Sequence, residues 1–581
     1  MKRKKKRTDR HVQVGSVSRS GRQTLKSYRI CALPILNRII ARSGIEKFLG
    51  QYVREDDRCT IPPSVGTVVL LKNFLTSRQP IYGVSEWACR HAPEQLGLSE
   101  EGVRSLNDDR VGRCLDRLFE ADRRSLLLAT ITHVIKEFGV SLDELHNDST
   151  TITFSGDYKE ASEERLQVFG KSTRLITWGH NKDHRPDLKQ LLYTLTVTRD
   201  GAVPVNFECG DGNLTDDQTH QATWDLVCQL AGGPDFLYVA DSKLATEKNM
   251  AHIHQRGGRF VTVLPRTRSE DKAFRFRLAV EQITWTPLCS RATSDGQHED
   301  EVLISSGSEI TKEGYRLLWF HSSRKATLDA AARSKKILRT IRSLEDLRHR
   351  LGSPRTRHTD ESKVTAAVEK CLAEGEAAAW IRVEVARNDH ERYRQSTPGR
   401  PGKNTEYRRE VKARFDLRFE VDHAAVAQSA KEDGVFPLVS NDTRLTATEI
   451  LAAYKRQSSI EKRFSQLKTD YQLAPVFLKA PHRIEAMLCV YFFALLVQAI
   501  FERELRRGLK EEGSKSLKLY PEERECRAPT ARKAIDLFEN VQRHEFFGSP
   551  SAEPQRFPTE LSRVQKRVLR LLGVPSSDYG A

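Results

Sequence analysis

Three acidic residues stand where the surrounding pattern gives a carboxylate something to do. Asp148 lies in HNDSTTITF, where polar and apolar residues alternate as in a strand, so it shares a face with Thr150, Ile152 and Phe154. A carboxylate among apolar side chains is costly unless a positive charge offsets it, and a metal ion would do so. A strand-entry turn is the other use for an Asp at this point. Asp241 follows FLYVA without a gap, at the carboxyl end of a short buried strand. Ligands gather at such ends in open α/β sheets, although an Asp there also caps a following helix. Glu461 lies in LAAYKRQSSIEKRFSQLKTDYQL. At 100° per residue, Ile460, Phe464, Leu467 and Tyr471 make a buried stripe, with Tyr454, Gln457, Glu461 and Lys468 in a second stripe beside it. Glu461 is then expected at the edge of the core. Lys455, Lys462 and Arg463 point elsewhere and make the helix basic.

Three carboxylates on one α/β layer suit a pair of Mg²⁺ ions, which prefer a few carboxylates completed by water and phosphate oxygens. The chain carries 95 Lys and Arg against 78 Asp and Glu, a net charge of +17 over 581 residues, which favours a polyanionic partner. Other classes are disfavoured. The sequence has neither an H-E-x-x-H pattern nor a G-x-x-x-x-G-K-[ST] loop, so zinc hydrolysis and a nucleotide cofactor have no support. Its 10 cysteines include no C-x-x-C pair, against a zinc ribbon or disulfide scaffold and in keeping with a reducing cytosol. The longest apolar run, Ala486 to Ile500, is short of the roughly 18 residues of a membrane span and reads as a core helix.

The elements that must position these acids follow from periodicity. Residues 1–28 form a basic flexible arm, with eleven Lys and Arg and one acid in the first thirty positions. Residues 29–140 have helical periodicity throughout, and Val68–Phe74 followed by Tyr82–Cys89 has the outline of a helix-turn-helix or of a plain bundle. From 141 to 267 the pattern becomes strand, strand, hairpin, helix, strand, helix, strand. The strands are placed at Thr151–Phe154, Leu175–Trp178, Leu191–Thr198, Ala202–Cys209, Phe236–Ala240 and Arg259–Leu264, the helices from about Thr215 to Leu230 and from Lys243 to Gln255. Residues 268–434 are less regular and read as an inserted α+β module, with Pro398-Gly-Arg-Pro-Gly marking a loop. The α/β pattern resumes over 435–510, and 511–581 reads as a helical tail.

At these residues the chain resembles the bacterial insertion-sequence transposases of the DDE class, in the group whose third acid lies in a Tyr-x2-Arg-x3-Glu-x6-Lys signature. Tyr454, Glu461 and Lys468 match the spacing, while the arginine position holds Gln457, with Arg456 one place earlier. Gly179–Gln190 (GHNKDHRPDLKQ), Gly210–Asp216 (GDGNLTD) and Leu106–Glu120 (LNDDRVGRCLDRLFE) carry the same resemblance. It spans about residues 30–505. It implies an RNase H-like mixed-sheet catalytic core, interrupted by an inserted module between the second Asp and the Glu and preceded by a helical DNA-end-binding domain. The spacings of 93 and 220 residues between the acids fit that plan.

By this resemblance Asp148, Asp241 and Glu461 are the catalytic triad, holding two Mg²⁺ ions for which Mn²⁺ can substitute. Tyr454, Arg456 and Lys468 fall to transposon-end DNA, and the basic loop residues Lys182, His184, Arg185 and Lys189 are expected to face DNA as well. Family members can use an aromatic of the insertion to stack an extruded base. Trp319 and Trp285 stand in that region, with core packing as their expected use. The implied reaction is water attack on a phosphodiester at the element's end, then attack of the freed 3′-hydroxyl on target DNA. The implied partners are double-stranded transposon ends and target, with a homodimer in the active complex, no membrane and a cytoplasmic, nucleoid-associated setting. An RNase H-like nuclease that cuts without joining, and a non-catalytic DNA-binding derivative, share most of these features.

Overall fold

A computed structural model describes residues 24–55, 59–77, 79–159, 164–292, 299–307, 309–353, 356, 358, 360–471, 478–520, 522, 524–547 and 553–580. Most of the expected basic arm, residues 1–23, lies outside them. The chain is a mixed α/β protein with many helices, and divides into two compact units. The first comprises residues 1–239, 255–258 and 455–581; the second comprises 240–254 and 259–454.

After the strand Thr24–Arg29, the first unit continues with a run of helices that includes α1 (Pro63–Thr76), α2 (Asp108–Glu120) and α3 (Arg123–Phe138). Asn107 and Asp122 cap α2 and α3 by accepting from the backbone N–H groups of Arg110 and Ser125. α1 is buried on nearly every side, so this part of the helix-turn-helix outline is a core helix. Four neighbouring strands of a sheet follow: β1 (Glu144–Phe154), β2 (Lys189–Thr198), β3 (Pro204–Gly210) and β4 (Leu237–Ala240), in the order β3-β2-β1-β4, with α4 (His220–Ala231) before β4. β1 and β2 run antiparallel, with Asp148 opposite Leu195. The expected strand at Leu175–Trp178 is reduced to one bridge, Thr177 to Gln190, because Leu175 spends its backbone groups on Asp211 and Gly212.

In the second unit α5 (Glu247–Gln255) begins four residues later than expected, since residues 241–246 form a turn. The strands β5 (Arg259–Val263), β6 (Trp285–Ala292), β7 (Glu299–Ser305), β8 (Arg316–Ser322) and, further on, β11 (Val435–Ser440) lie in the order β5-β11-β8-β7-β6. Between β8 and β11 the chain forms two long helices, α6 (Ser323–Gly352) and α7 (Glu361–Gly375), a two-stranded ribbon, β9 (Ile381–Gln395) with β10 (Tyr407–Val421), and a short helix at His423–Ala430. Leu344, Leu347, Val364, Phe415 and Leu417 form their common core. Trp319 stacks on Phe274 at 3.8 Å and is buried, the core use expected of it; Trp285 packs edge-on to Phe274 at 6.4 Å.

The helix carrying Glu461 is broken. α8 (Ala447–Lys455) stops before Arg456 and Gln457, α9 (Ser458–Ser465) starts after them, and a π turn covers Gln466–Asp470. α10 (Pro481–Glu511) is twice the length of the apolar run. Among the described residues it alone is long and apolar enough to cross a membrane, and its apolar window is wholly buried inside the protein. Phe492 stacks on Phe207 of β3, Tyr491 on Phe74 of α1, and Arg483 pairs with Asp116 of α2. The expected helical tail also contains strands: Gln542–Phe547 pairs with Gln555–Pro558 and with Thr24–Arg29, so the last residues of the expected arm are structured too.

Candidate catalytic carboxylates

β1 presents Asp148 at the rim of a cradle built by two loop segments. Gln190, at the start of β2, donates to the Gly212 carbonyl at 2.8 Å, and Asn181 donates to Gln190 at 2.9 Å. Only glycine fits where these segments cross. A Cβ on Gly212 would lie 2.1 Å from the Gln190 carbonyl oxygen, and one on Gly179 would lie 2.0 Å from that of Gly212. The interlock brings Lys182 and Asp216 beside β1. The Lys182 ammonium lies 2.8 Å from Asp216 Oδ2 and 3.5 Å from Asp148 Oδ1, and donates to the Ser149 carbonyl and hydroxyl oxygens at 2.7 Å each. Ser149 in turn donates its hydroxyl to Asp216 Oδ1 at 2.5 Å and its N–H to Asp148 Oδ1 at 2.7 Å. A cation thus sits among four oxygens, two of them from carboxylates.

Burial alone would raise the Asp216 carboxyl, but Lys182 and the hydrogen bonds from Lys182 and Ser149 outweigh it and hold the group below its usual value. His220, at the start of α4, is pushed down to about 4 by burial, so it is neutral near pH 7. Its Nδ1 meets the Tyr238 hydroxyl at 3.2 Å.

Asp241 directly follows β4, as expected. Its carboxylate accepts from the Lys243 N–H at 3.0 Å and its carbonyl from Thr262 at 2.6 Å, so it shapes a turn. Glu461 lies in the first turn of α9 and is exposed. The expected buried face of this region is observed, with Ile460, Phe464, Leu467 and Tyr471 all buried. The second stripe is not continuous, because the helix break turns Arg456 and Gln457 toward β1. Gln457 donates to the Asn147 carbonyl and meets His146 Nδ1, each at 2.9 Å. Arg456 grips both oxygens of Glu144 at 2.5 Å, and His146 Nε2 meets Glu144 at 2.9 Å. Burial acts upward on the Glu144 carboxyl, but its bonds to His146 and Arg456 prevail and hold it at about 2. Arg463 is not a surface charge either: it is buried, paired with Glu502 of α10 at 2.9 Å, and donates to the carbonyls of Gly201 and Ala202.

The remaining expected DNA contacts fall into two groups. His184 and Arg185 are exposed, with Arg185 paired to Asp187. Lys189 is buried, donating to the Asp157 carbonyl and lying over the Trp178 ring at 4.7 Å. Lys468 pairs with Asp183 at 2.7 Å. Tyr454 is half-buried, 6.2 Å from the Phe436 ring. Sequence reasoning missed Ser149 and Asp216, although Asp216 ends the quoted GDGNLTD segment. It also missed Trp178, which is 55% exposed beside the basic loop.

The donor set is all oxygen, the chemistry of a hard divalent cation. Among the described residues no three His, Cys, Asp or Glu side chains stand together as a complete metal site. Water and substrate oxygens would have to complete the coordination, which is the habit of Mg²⁺. Residues 25–132 match the family model of a domain of unknown function, DUF4277, a domain found in transposase-like proteins. No curated protein matches the chain.

Proposed function

We propose that this chain is an insertion-sequence transposase that cleaves and joins DNA strands with the help of divalent cations. The observation that carries the reading is the oxygen cradle at Asp148, which already holds a cation, in a chain of net charge +17. The match of residues 25–132 to a domain found in transposase-like proteins adds to it. On this reading the core is RNase H-like, and Asp148, Asp241 and Glu461 hold the ions. When bound, Mg²⁺ or Mn²⁺ neutralises charge at the reacting phosphate and activates the attacking oxygen.

The protein's own groups do the rest. Asp216 and Ser149 hold the Lys182 ammonium 3.5 Å from Asp148, so a positive charge faces that carboxylate before metal and DNA arrive. Arg456, Gln457 and His146 fix the start of α9 against β1, and with it the direction in which Glu461 projects. Lys468 exchanges Asp183 for a backbone phosphate, and His184 and Arg185 bind DNA without reading sequence. Holding a 3′-hydroxyl against the target phosphodiester in a dimeric protein–DNA assembly supplies much of the rate. The test is incubation of DNA bearing the element's ends with Mg²⁺ and a target plasmid. Ends joined to the plasmid support the reading. Cut ends that never join would make the protein a nuclease, and uncut DNA held in a stable complex would make it a binding protein.

A further inference from the structure

The β9–β10 ribbon leaves its core early. Ile381, Val383, Val385, Phe415, Leu417 and Phe419 pack at its root against α6 and α7, and beyond Arg387 the two strands run on exposed for roughly 30 Å. An isolated two-stranded ribbon is marginal in water, so an extended one with two bare faces calls for a partner. The register separates its side chains sharply. On one face Arg387 pairs with Asp389 at 2.8 Å and Arg409 pairs with Glu391, so the charges cancel. Tyr393 and Tyr407 stand exposed on that same face. On the opposite face Arg392, Arg394, Arg408 and Lys412 gather, all exposed, and over this outer stretch the one opposing acid among the described residues is Glu410, 4.0 Å from Arg394.

We infer that this ribbon is a DNA-binding arm, lying along duplex DNA with the Arg392–Arg394–Arg408–Lys412 face against the phosphates. The inference rests on the reading that the chain acts on DNA and adds the surface that holds it. A two-stranded ribbon fits the B-DNA major groove, and four cations against one acid on one face match the backbone in charge. The neutralised opposite face has no such attraction for a polyanion. Bare strand edges could instead pair with a second copy of the chain, but strands this densely charged resist that pairing.

The test is fluorescence anisotropy of the full chain with a duplex of about 40 base pairs, over a NaCl series. Changing Arg392, Arg394, Arg408 and Lys412 together to serine alters only exposed side chains. Each lost phosphate contact lowers the slope of log affinity against log salt by about 0.9, so the slope should fall by about 3.6. Between 50 and 200 mM salt the native protein would then lose affinity by about 150-fold more than the variant. Arg387→Ser with Asp389→Ser, on the other face, should leave the slope unchanged. An unaltered slope in the quadruple variant, or a change in oligomeric state with DNA binding intact, overturns the inference. Failure of the native protein to bind duplex at any salt would overturn the DNA reading itself, and so is a distinguishable result.

Discussion

Changing Arg456 to methionine separates a structural role from a DNA-contacting one. The guanidinium makes two bonds of 2.5 Å to Glu144, whose side chain is 6% exposed, while Arg456 itself is 32% exposed. The interval between the usual Glu value of 4.5 and about 2 in the folded protein corresponds to roughly 3 kcal/mol. That stabilisation is shared with His146, and solvent around Arg456 weakens it, so about 2 kcal/mol is the expected loss in the variant near pH 7. The folded value lies below the unfolded one. The contribution is therefore present above pH 4.5 and lost as pH falls toward 2. Urea unfolding at pH 7 and pH 3, followed by intrinsic fluorescence, measures both. The native protein should exceed the variant by about 2 kcal/mol at pH 7, and the gap should narrow at pH 3. A variant of unchanged stability that no longer binds DNA would refute this reasoning and return Arg456 to the phosphate-contacting role.

Three further outcomes follow from the same geometry. Gly212→Ala forces a methyl against the Gln190 carbonyl and should cost about 2–3 kcal/mol by urea unfolding, together with the Lys182–Asp216 arrangement; native stability would mean the crossing is loose. Lys182→Met removes the ammonium that occupies the cradle, so Mn²⁺ binding measured by electron paramagnetic resonance should tighten ~10-fold, an order-of-magnitude figure from removing a like charge at close range. Unchanged affinity would place the divalent ion elsewhere. Arg463→Met should destabilise the protein by about 3 kcal/mol because it removes the nearest cation from buried Glu502, leaving Arg506 at 3.7 Å, and adding Glu502→Leu should recover part of that loss; additive effects of the two changes would show that the pair is not coupled.

Much of the first unit was legible because its signals are local. The Asp200-Gly201 turn between two apolar runs specified the β2–β3 hairpin, and FLYVA specified β4 with Asp241 at its end. The apolar spacing around Glu461 also found the buried residues of α9. What failed was the assumption of one unbroken helix. Nothing local signals that Arg456 and Gln457 leave the helix, since the cause is Glu144 and His146, more than three hundred residues earlier in the chain. The same limit hid Arg463 in its pair with Glu502, and it turned Lys182 and Lys189 from presumed DNA contacts into inward-facing groups. A charge in a basic loop reads as solvated until the acid that receives it is known. Asp216 was visible as part of a quoted segment, but only the crossing of Gly179 and Gly212 shows why it reaches Asp148 through Lys182.

The central claim is that Asp148, Asp241 and Glu461 support metal-dependent exchange of DNA strands. Strand transfer from end-bearing DNA into a plasmid, measured in Mg²⁺ for the native protein and for Asp148→Asn, Asp241→Asn and Glu461→Gln, tests it directly. Joined product from the native protein, absent without divalent ion and lost in each variant while DNA binding persists, is the expected result. Joining that survives all three substitutions would contradict the account.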